Sequence, residues 1–310
     1  MTYLTSDLIT AVRRKGRIPD SVPDYTDAVI LAEADDVISS YMTEALSSLR
    51  NGYWVVQTDT ALTVGTSAYE IPTDCTGDSL EGVYLVDSTG REQRLAHVPI
   101  SDSGTIILSS TSTGTPRAFC LRDSDIVLLP TPNNASVSLR VRFMQRRGRL
   151  VPVTSCAAIS AKDVGAGTVT TATQPSLFLD DAYYDIARST PPFRRVVSNA
   201  LVDNIAGSGP YVFTFDTQPV TAVQTTGIDY LCLTGETCVI QLPVELHSAL
   251  ALMTAGAILG QMGYAAQESI LMQRGQSVIA AFQNLAIPRV KEQLFKVVNR
   301  NSTLRIGRVW

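Results

Sequence analysis

Val137-Ser138-Leu139-Arg140-Val141-Arg142-Phe143 alternates apolar and polar side chains without a break. Successive side chains of a strand point to opposite faces. Val137, Leu139, Val141 and Phe143 therefore share one side, and Ser138, Arg140 and Arg142 the other. One dry and one wet face is the habit of an antiparallel sheet. Working outward from this segment (Val137–Gln145), the same period recurs over Tyr53–Gln57, Gly82–Asp87, Arg91–His97, Arg117–Arg122 and Asp125–Leu129. Asp87-Ser88-Thr89-Gly90 and Pro130-Thr131-Pro132-Asn133-Asn134 supply turns between them. Beyond residue 152, glycines at 165, 167, 207, 209, 227 and 235 punctuate a second β unit. Its short strands are Thr168–Thr173, Tyr211–Asp216, Tyr230–Leu233 and Thr237–Leu242. Asp180–Arg188 and Arg195–Ile205 fit a brief helix or a strand equally well.

On both flanks the period changes to that of a helix. Before the β material, Ser6 is placed to cap a helix through Lys15 closed by Gly16. Thr26 starts a longer helix with Ile30, Ala34, Val37, Tyr41, Ala45 and Leu49 on one stripe, ended by Gly52. After it, Pro243 suits a first helical turn, a helix runs to about Met262, and Gly263 breaks it. A second helix covers about Tyr264–Leu285, with Leu271, Val278, Phe282 and Leu285 as its apolar stripe and Pro288 as its stop. Gly256 and Gly260, one turn apart, let another helix approach closely. The fold class is therefore α+β. A helical platform of N- and C-terminal helices (1–52 and 243–288) carries a β domain (53–151) and an inserted β unit (152–242), and residues 289–310 follow as an extended arm.

The chain has 310 residues, 45% apolar and 17% charged, and such a balance buries a core rather than staying disordered. Of its 59 Ser and Thr residues 42 fall in 53–242, the texture of exposed strand faces and turns. Charge is unevenly spread: residues 1–288 carry a net −9 and the last 22 carry +5. An acidic body binds nucleic acid poorly, because phosphate affinity comes from accumulated Lys and Arg. The first sixteen residues lack an apolar block and end in Arg13-Arg14-Lys15-Gly16, so no secretory leader is expected. The 22 uncharged residues between Glu245 and Glu268 contain His247, Ser248, Thr254, Gln261 and Gln267, too polar a run for a membrane span.

The sequence is poor in enzyme signatures. No Walker A run and no G-x-S-x-G elbow occurs, and Gly165-Ala166-Gly167 lacks the third glycine of a dinucleotide loop. Two histidines, His97 and His247, do not make a metal centre. Cys75, Cys120, Cys156, Cys232 and Cys238 are odd in number and show no C-x-x-C spacing. Cys232 and Cys238 are near enough to meet across a hairpin, yet reduced, half-buried thiols are the plainer expectation. Asp35-Asp36 and Asp180-Asp181 are adjacent pairs, and a glycosidase needs carboxyls that converge on one cleft, which spacing alone does not show. No catalytic residue, metal ligand or cofactor is expected.

Arginines cluster at Arg13–Arg17, Arg140–Arg149 and Arg289–Arg308. The middle cluster reads as an exposed rim. In the last, bases alternate with apolar residues: Arg289, Lys291, Leu294, Phe295, Lys296, Arg300, Leu304, Arg305, Ile306, Arg308 and finally Trp310. Such a pattern after a helix stop predicts an arm that docks on a partner, anchored by Phe295 and Trp310.

Three stretches resemble one known family. They are the opening helical pair running into Asn51-Gly52-Tyr53-Trp54-Val55, the strand–turn–strand Phe119–Pro132 followed by Leu139–Phe143, and Leu242–Leu250 leading through the helical hairpin to Ile287-Pro288-Arg289. Together they resemble the head-to-tail connector or adaptor proteins (tail accessory factors) of short-tailed bacteriophages, from which residues 152–242 depart as an extra β insertion. The resemblance implies a structural virion protein of the phage neck, made in the host cytoplasm. It implies a homo-oligomeric ring, twelve copies, beneath the portal protein, which the arm binds. The ring's far side meets the next tail component, a nozzle or tail-tube protein, and genomic DNA passes through the hole without sequence-specific binding. Ring closure needs two different faces per subunit; Gly256 and Gly260, with Asp35 and Asp36 on the acidic helix, are the candidates for subunit packing. Two other readings are a β-rich tail or capsid-decoration module recognising a receptor or glycan through 152–242, and a cell-wall hydrolase.

Overall fold

Leu4 caps the first helix, α1 (Thr5–Gly16), and its backbone N–H donates to the Asp7 carboxylate at 3.0 Å. The expected cap, Ser6, lies inside the helix instead. Thr5, just before it, is fully buried and donates its hydroxyl to the Val151 carbonyl at 2.8 Å, which fixes where the helix begins. These coordinates come from a computed structural model that describes residues 3–19, 24–43, 46, 53–100, 112–191, 193–216, 219–225 and 229–286.

Thr26 caps α2 (Asp27–Val37), accepting from the Val29 N–H. The helix then widens into a π-turn over Ile38–Met42. An i→i+5 turn shifts the register of everything after it. Ile30, Ala34 and Val37 are buried as the stripe requires, but Ile38, Met42 and Leu46 continue it, and Tyr41 is 41% exposed. Ala45, Leu49 and Gly52 lie outside the described residues. At the other end of the chain, α3 (Val244–Gln261) and α4 (Ala265–Ala286) form a hairpin around Gly263, whose φ of 84° needs a residue without a side chain. α3 is apolar almost all round because it is the central helix. Leu246, Leu250, Met253 and Ile258 share one core with Leu8 and Val12 of α1 and with Ile30, Leu31 and Met42. N- and C-terminal helices thus build one platform. No described helix is long and apolar enough to cross a membrane.

Between them lies first a β-sandwich of β1 (Val55–Ala61), β2 (Ala68–Glu70), β3 (Cys75–Val86), β4 (Glu92–Arg94), β5 (Ala96–His97), β6 (Thr113–Gly114), β7 (Ala118–Arg122), β8 (Asp125–Leu129), β9 (Thr131–Pro132) and β10 (Ser138–Gln145). One sheet runs β1-β10-β3-β4 and the other β2-β8-β7-β5, with β6 and β9 paired at the side. Their inner faces share Val83, Leu85, Leu139, Val141 and Phe143 from the first sheet and Phe119, Ile126 and Leu128 from the second. The strand expected at Tyr53–Gln57 begins at Val55 and continues to Ala61. The one expected at Arg91–His97 divides between the sheets, because Leu95 dives into the shared core and the chain crosses from one layer to the other.

The chain leaves the sandwich through β11 (Arg149–Leu150), makes a closed barrel of β12 (Ala157–Asp163), β13 (Thr168–Thr171), β14 (Ala182–Arg188), β15 (Arg195–Ala206), β16 (Tyr211–Phe215) and β17 (Asp229–Leu233), and returns through β18 (Glu236–Thr237). The barrel order is β12-β13-β16-β15-β14-β17, closed by Ala157 opposite Leu231. Closure removes every sheet edge. Ile159, Val169, Tyr184, Ile186, Val202, Phe213 and Leu231 fill the interior, with Phe178, Val220 and Val223. Both segments whose type the sequence left open, Asp180–Arg188 and Arg195–Ile205, are barrel strands, and β12 is one the periodicity did not reveal. The strand expected over Thr237–Leu242 is reduced to β18. That short strand leaves β17 and pairs in parallel with β11, while Val239 bridges to Leu4. Cys232 and Cys238 do meet, with sulfurs within 4.8 Å and no disulfide, but not as opposite residues of a paired hairpin.

Candidate assembly surfaces

The segments that carry the chain into and out of the barrel run side by side, and there platform, sandwich and barrel are joined. Asp35 of α2 is the fastener on the platform side. One carboxylate oxygen accepts from the Leu150 N–H at 2.9 Å, the other pairs with the Arg147 guanidinium, and Arg147 also donates to the Asp35 carbonyl at 2.9 Å. Gly148 donates its N–H to the Gln241 side chain at 3.0 Å, and a β-carbon there would press on the Glu236 backbone. Trp54 donates its indole N–H to the Gln241 carbonyl at 3.1 Å. His247, in the first turn of α3, stacks on Tyr3 at 4.1 Å and leans on Phe193 of the barrel at 5.2 Å. Burial pushes its imidazole down to about 4, although the Leu242 carbonyl and Glu245 pull the other way. The neutral ring donates to the Leu242 carbonyl, 3.0 Å away. A crevice of about 640 Å³ beside this joint is lined by Asp35, Asp36, Trp54, Arg146, Arg147 and Gly235. A joint of this kind holds three bodies in a fixed relation; Asp35, Arg147, Gly148 and the Trp54 indole are spent within it, while the Gln241 amide nitrogen and His247 Nδ1 are buried without a hydrogen-bond partner among the described residues.

The wet face of the sandwich carries a ladder of charges. Arg140 bridges Asp59 and Glu92 at 2.6 Å each, and Arg142 reaches Glu92 at 2.7 Å while its guanidinium lies 4.7 Å from the centre of the Tyr84 ring. The hydrogen bond from Arg140 holds the Asp59 carboxyl below its ordinary range. Exposed pairs of this kind contribute little to stability, so the ladder sets the character of a surface more than it braces the fold. A second cleft of about 810 Å³, between sandwich and barrel, is lined by Asp74, Arg142, Gln145, Arg188, Arg194 and Ser198. Gln145 spans it, donating to Asp74 and Ser198 at 2.9 Å each.

The barrel also presents apolar side chains to solvent. Phe178 is buried at 2% exposure, and the Leu179 N–H donates to the Tyr184 hydroxyl at 2.8 Å, which returns its own hydrogen to the Leu179 carbonyl. Pinned at Phe178 and at the backbone of Leu179, the loop turns Leu177 and Leu179 outward, 62% and 65% exposed, close in sequence to the exposed Tyr183. Tyr264 and Ile270 do the same at the start of α4. Groups of exposed large apolar side chains mark protein-contacting surfaces.

The residues singled out in the sequence fall in different places. Gly256 and Gly260 do admit a helix, and it is α4 of the same chain: their missing β-carbons leave room for Met272 and Leu271 and for the Glu268 carboxylate. Gly275 on α4 does the same for Met253, which no spacing rule had flagged. Asp35 is occupied within the chain, whereas Asp36 is exposed and borders a hollow of about 470 Å³ with Glu33, Tyr41 and Glu268. Arg147, expected on a rim, reaches inward to α2. Asp180 is spent on the Ile205 N–H at 2.6 Å, and Asp181 sits at φ 56° in a turn. Gly165-Ala166-Gly167 is a turn whose N–H groups at 165 and 166 donate to Asp163. The arm residues Arg289, Lys291, Leu294, Phe295, Lys296, Arg300, Leu304, Arg305, Ile306, Arg308 and Trp310 lie outside the described residues. Sequence reasoning passed over Cys156, whose sulfur joins those of Cys232 and Cys238 in one buried group.

Residues 1–186, more than half of the chain, match the family model described as SU10 adaptor protein. The matched span takes in α1, α2, the whole sandwich and the barrel as far as β14. No curated protein matches the chain.

Proposed function

The chain belongs to the SU10 adaptor protein family, a family of phage structural adaptors, and from that premise we propose that it is a head-to-tail adaptor that assembles as a ring beneath the portal of a short-tailed phage. Twelve copies would match the portal. Each copy meets the portal through residues 289–310 and the next tail protein through its far side, and DNA passes through the hole. The family match carries the reading. Three further observations support it. The joint around Asp35 and Arg147 makes a stiff three-body spacer, which a force-bearing collar needs. The exposed leucines of the barrel suit a heterologous contact, one face of a subunit against a different face of its neighbour. A net −9 over residues 1–288 favours DNA that slides rather than sticks. Because Gly256, Gly260 and Asp35 are engaged within the chain, Asp36 with its neighbouring hollow is the member of that set left for a partner.

Co-sedimentation of the purified chain with purified portal assemblies tests the arm. The full-length chain is expected to pellet with the portal and a chain ending at residue 288 to stay in the supernatant with an unchanged unfolding transition. Equal attachment of both would refute the arm.

A further inference from the structure

Cys156, Cys232 and Cys238 come from three separate segments, yet their sulfurs all lie within 4.8 Å of one another, and all three residues are buried. Cys156 begins the chain's path into the barrel, just after the 3-10 turn Val153–Ser155; Cys232 is on β17; Cys238 follows β18 on the way out. Val151, Phe193 and Val239 wall the group with apolar surface. None of the three forms a disulfide. A fully desolvated trio of thiols gains little as packing, since alanine or valine would fill the same space without weak polar groups to satisfy.

From this geometry we infer that Cys156, Cys232 and Cys238 are the ligands of a soft, thiophilic d10 cation, zinc or monovalent copper, that staples the incoming and outgoing segments of the barrel together. Sulfurs no more than 4.8 Å apart leave a central point at most about 2.8 Å from each. A zinc–thiolate bond is about 2.3 Å, so each sulfur need move only about half an ångström. Thiolate sets select Zn and Cu(I) over harder ions. Among the described residues no fourth Cys, His, Asp or Glu joins the group, which suits three-coordinate copper, or zinc with one outside ligand. Burial opposes the Cys232 thiolate, but hydrogen bonds from Cys156 and Cys238 and the nearby Arg195 guanidinium together hold its thiol well below the ordinary range. The same hydrogen bond to Cys232 raises the thiol of Cys156, and burial raises that of Cys238. Binding turns the ligating thiols into thiolates and releases the protons they hold.

The test uses the full-length chain, produced in one culture with zinc sulfate and reconstituted in a second arm with Cu(I) under anaerobic reductant, then desalted for metal analysis. About one ion per chain is expected in one of the two arms, as for a structural site. Cys156→Ser and Cys238→Ser should retain less than about a tenth of that, while Cys75→Ser and Cys120→Ser, in the sandwich, retain it all. Wild type that holds no ion in either arm, or Cys156→Ser that holds it undiminished, would overturn the proposal. X-ray absorption on the loaded wild type decides the matter even if a variant fails to fold: a shell of three sulfurs supports the site, and a shell of nitrogen and oxygen alone refutes it.

Discussion

Lowering the pH should loosen the chain through one residue, His247, and the size of the effect follows from where it sits. The ring is 3% exposed, stacked on Tyr3, and burial brings its pKa down to about 4 from an ordinary 6.5. Between these two values the unfolded chain binds a proton that the folded chain refuses. Stability from this group is therefore fully present above about pH 6.5 and falls as the pH drops towards about 4. At 1.36 kcal/mol per pKa unit the whole window is worth roughly 3 kcal/mol, and roughly 2 of these are lost by pH 5. His247→Gln keeps an N–H for the Leu242 carbonyl and cannot titrate. Urea unfolding at about pH 8 and pH 5 should show the wild type losing roughly 2 kcal/mol more than the variant between the two conditions. Asp185, whose carboxyl is raised by burial, slopes the other way, but it is common to both proteins and cancels in the difference. Equal slopes for wild type and His247→Gln would refute the reasoning.

The helical hairpin offers a contrast between two glycines. A β-carbon on Gly275 meets the Met253 side chain near its root, whereas one on Gly260 meets only the movable end of Glu268. Gly275→Ala should cost about 1–2 kcal/mol despite alanine's better helix propensity, and Gly260→Ala should be neutral or stabilising by up to about 1 kcal/mol, as read from thermal unfolding. On the barrel, Leu177→Asp with Leu179→Asp should leave the unfolding transition within about 0.5 kcal/mol of wild type, because both side chains are in water. The same pair should abolish subunit association on the portal, scored by cross-linking; ring formation at wild-type yield would remove the leucines from the interface.

Much of the fold was legible. The alternation of residues 137–143 put Leu139, Val141 and Phe143 on the core side of β10, where all three are buried, because a strand facing one core has no other way to distribute its side chains. The hairpin of β7 and β8 and the break at Gly263 were equally plain from local turn chemistry. What escaped depends on contacts distant in sequence. The π-turn at Ile38–Met42 decides that Met42 rather than Tyr41 enters the core, and that choice is made by packing in the platform, not by α2 itself. Arg147 looked like an exposed rim because its partner Asp35 is 112 residues away. Cys156 meets Cys232 and Cys238 only once six strands have closed into a barrel, so no spacing announced the group. Gly256 and Gly260 were legible as places of close helix approach, but a sequence does not say whether the helix that arrives belongs to the same chain.

Electron microscopy of the full-length chain mixed with its portal and tail partners tests the central claim most directly. Ring-shaped density one subunit thick between portal and tail, with the helical platform and both β bodies recognisable in each copy and the hole open for DNA, is the result this account requires. Portal particles that stay bare, with the chain monomeric or bound elsewhere on the virion, would contradict it.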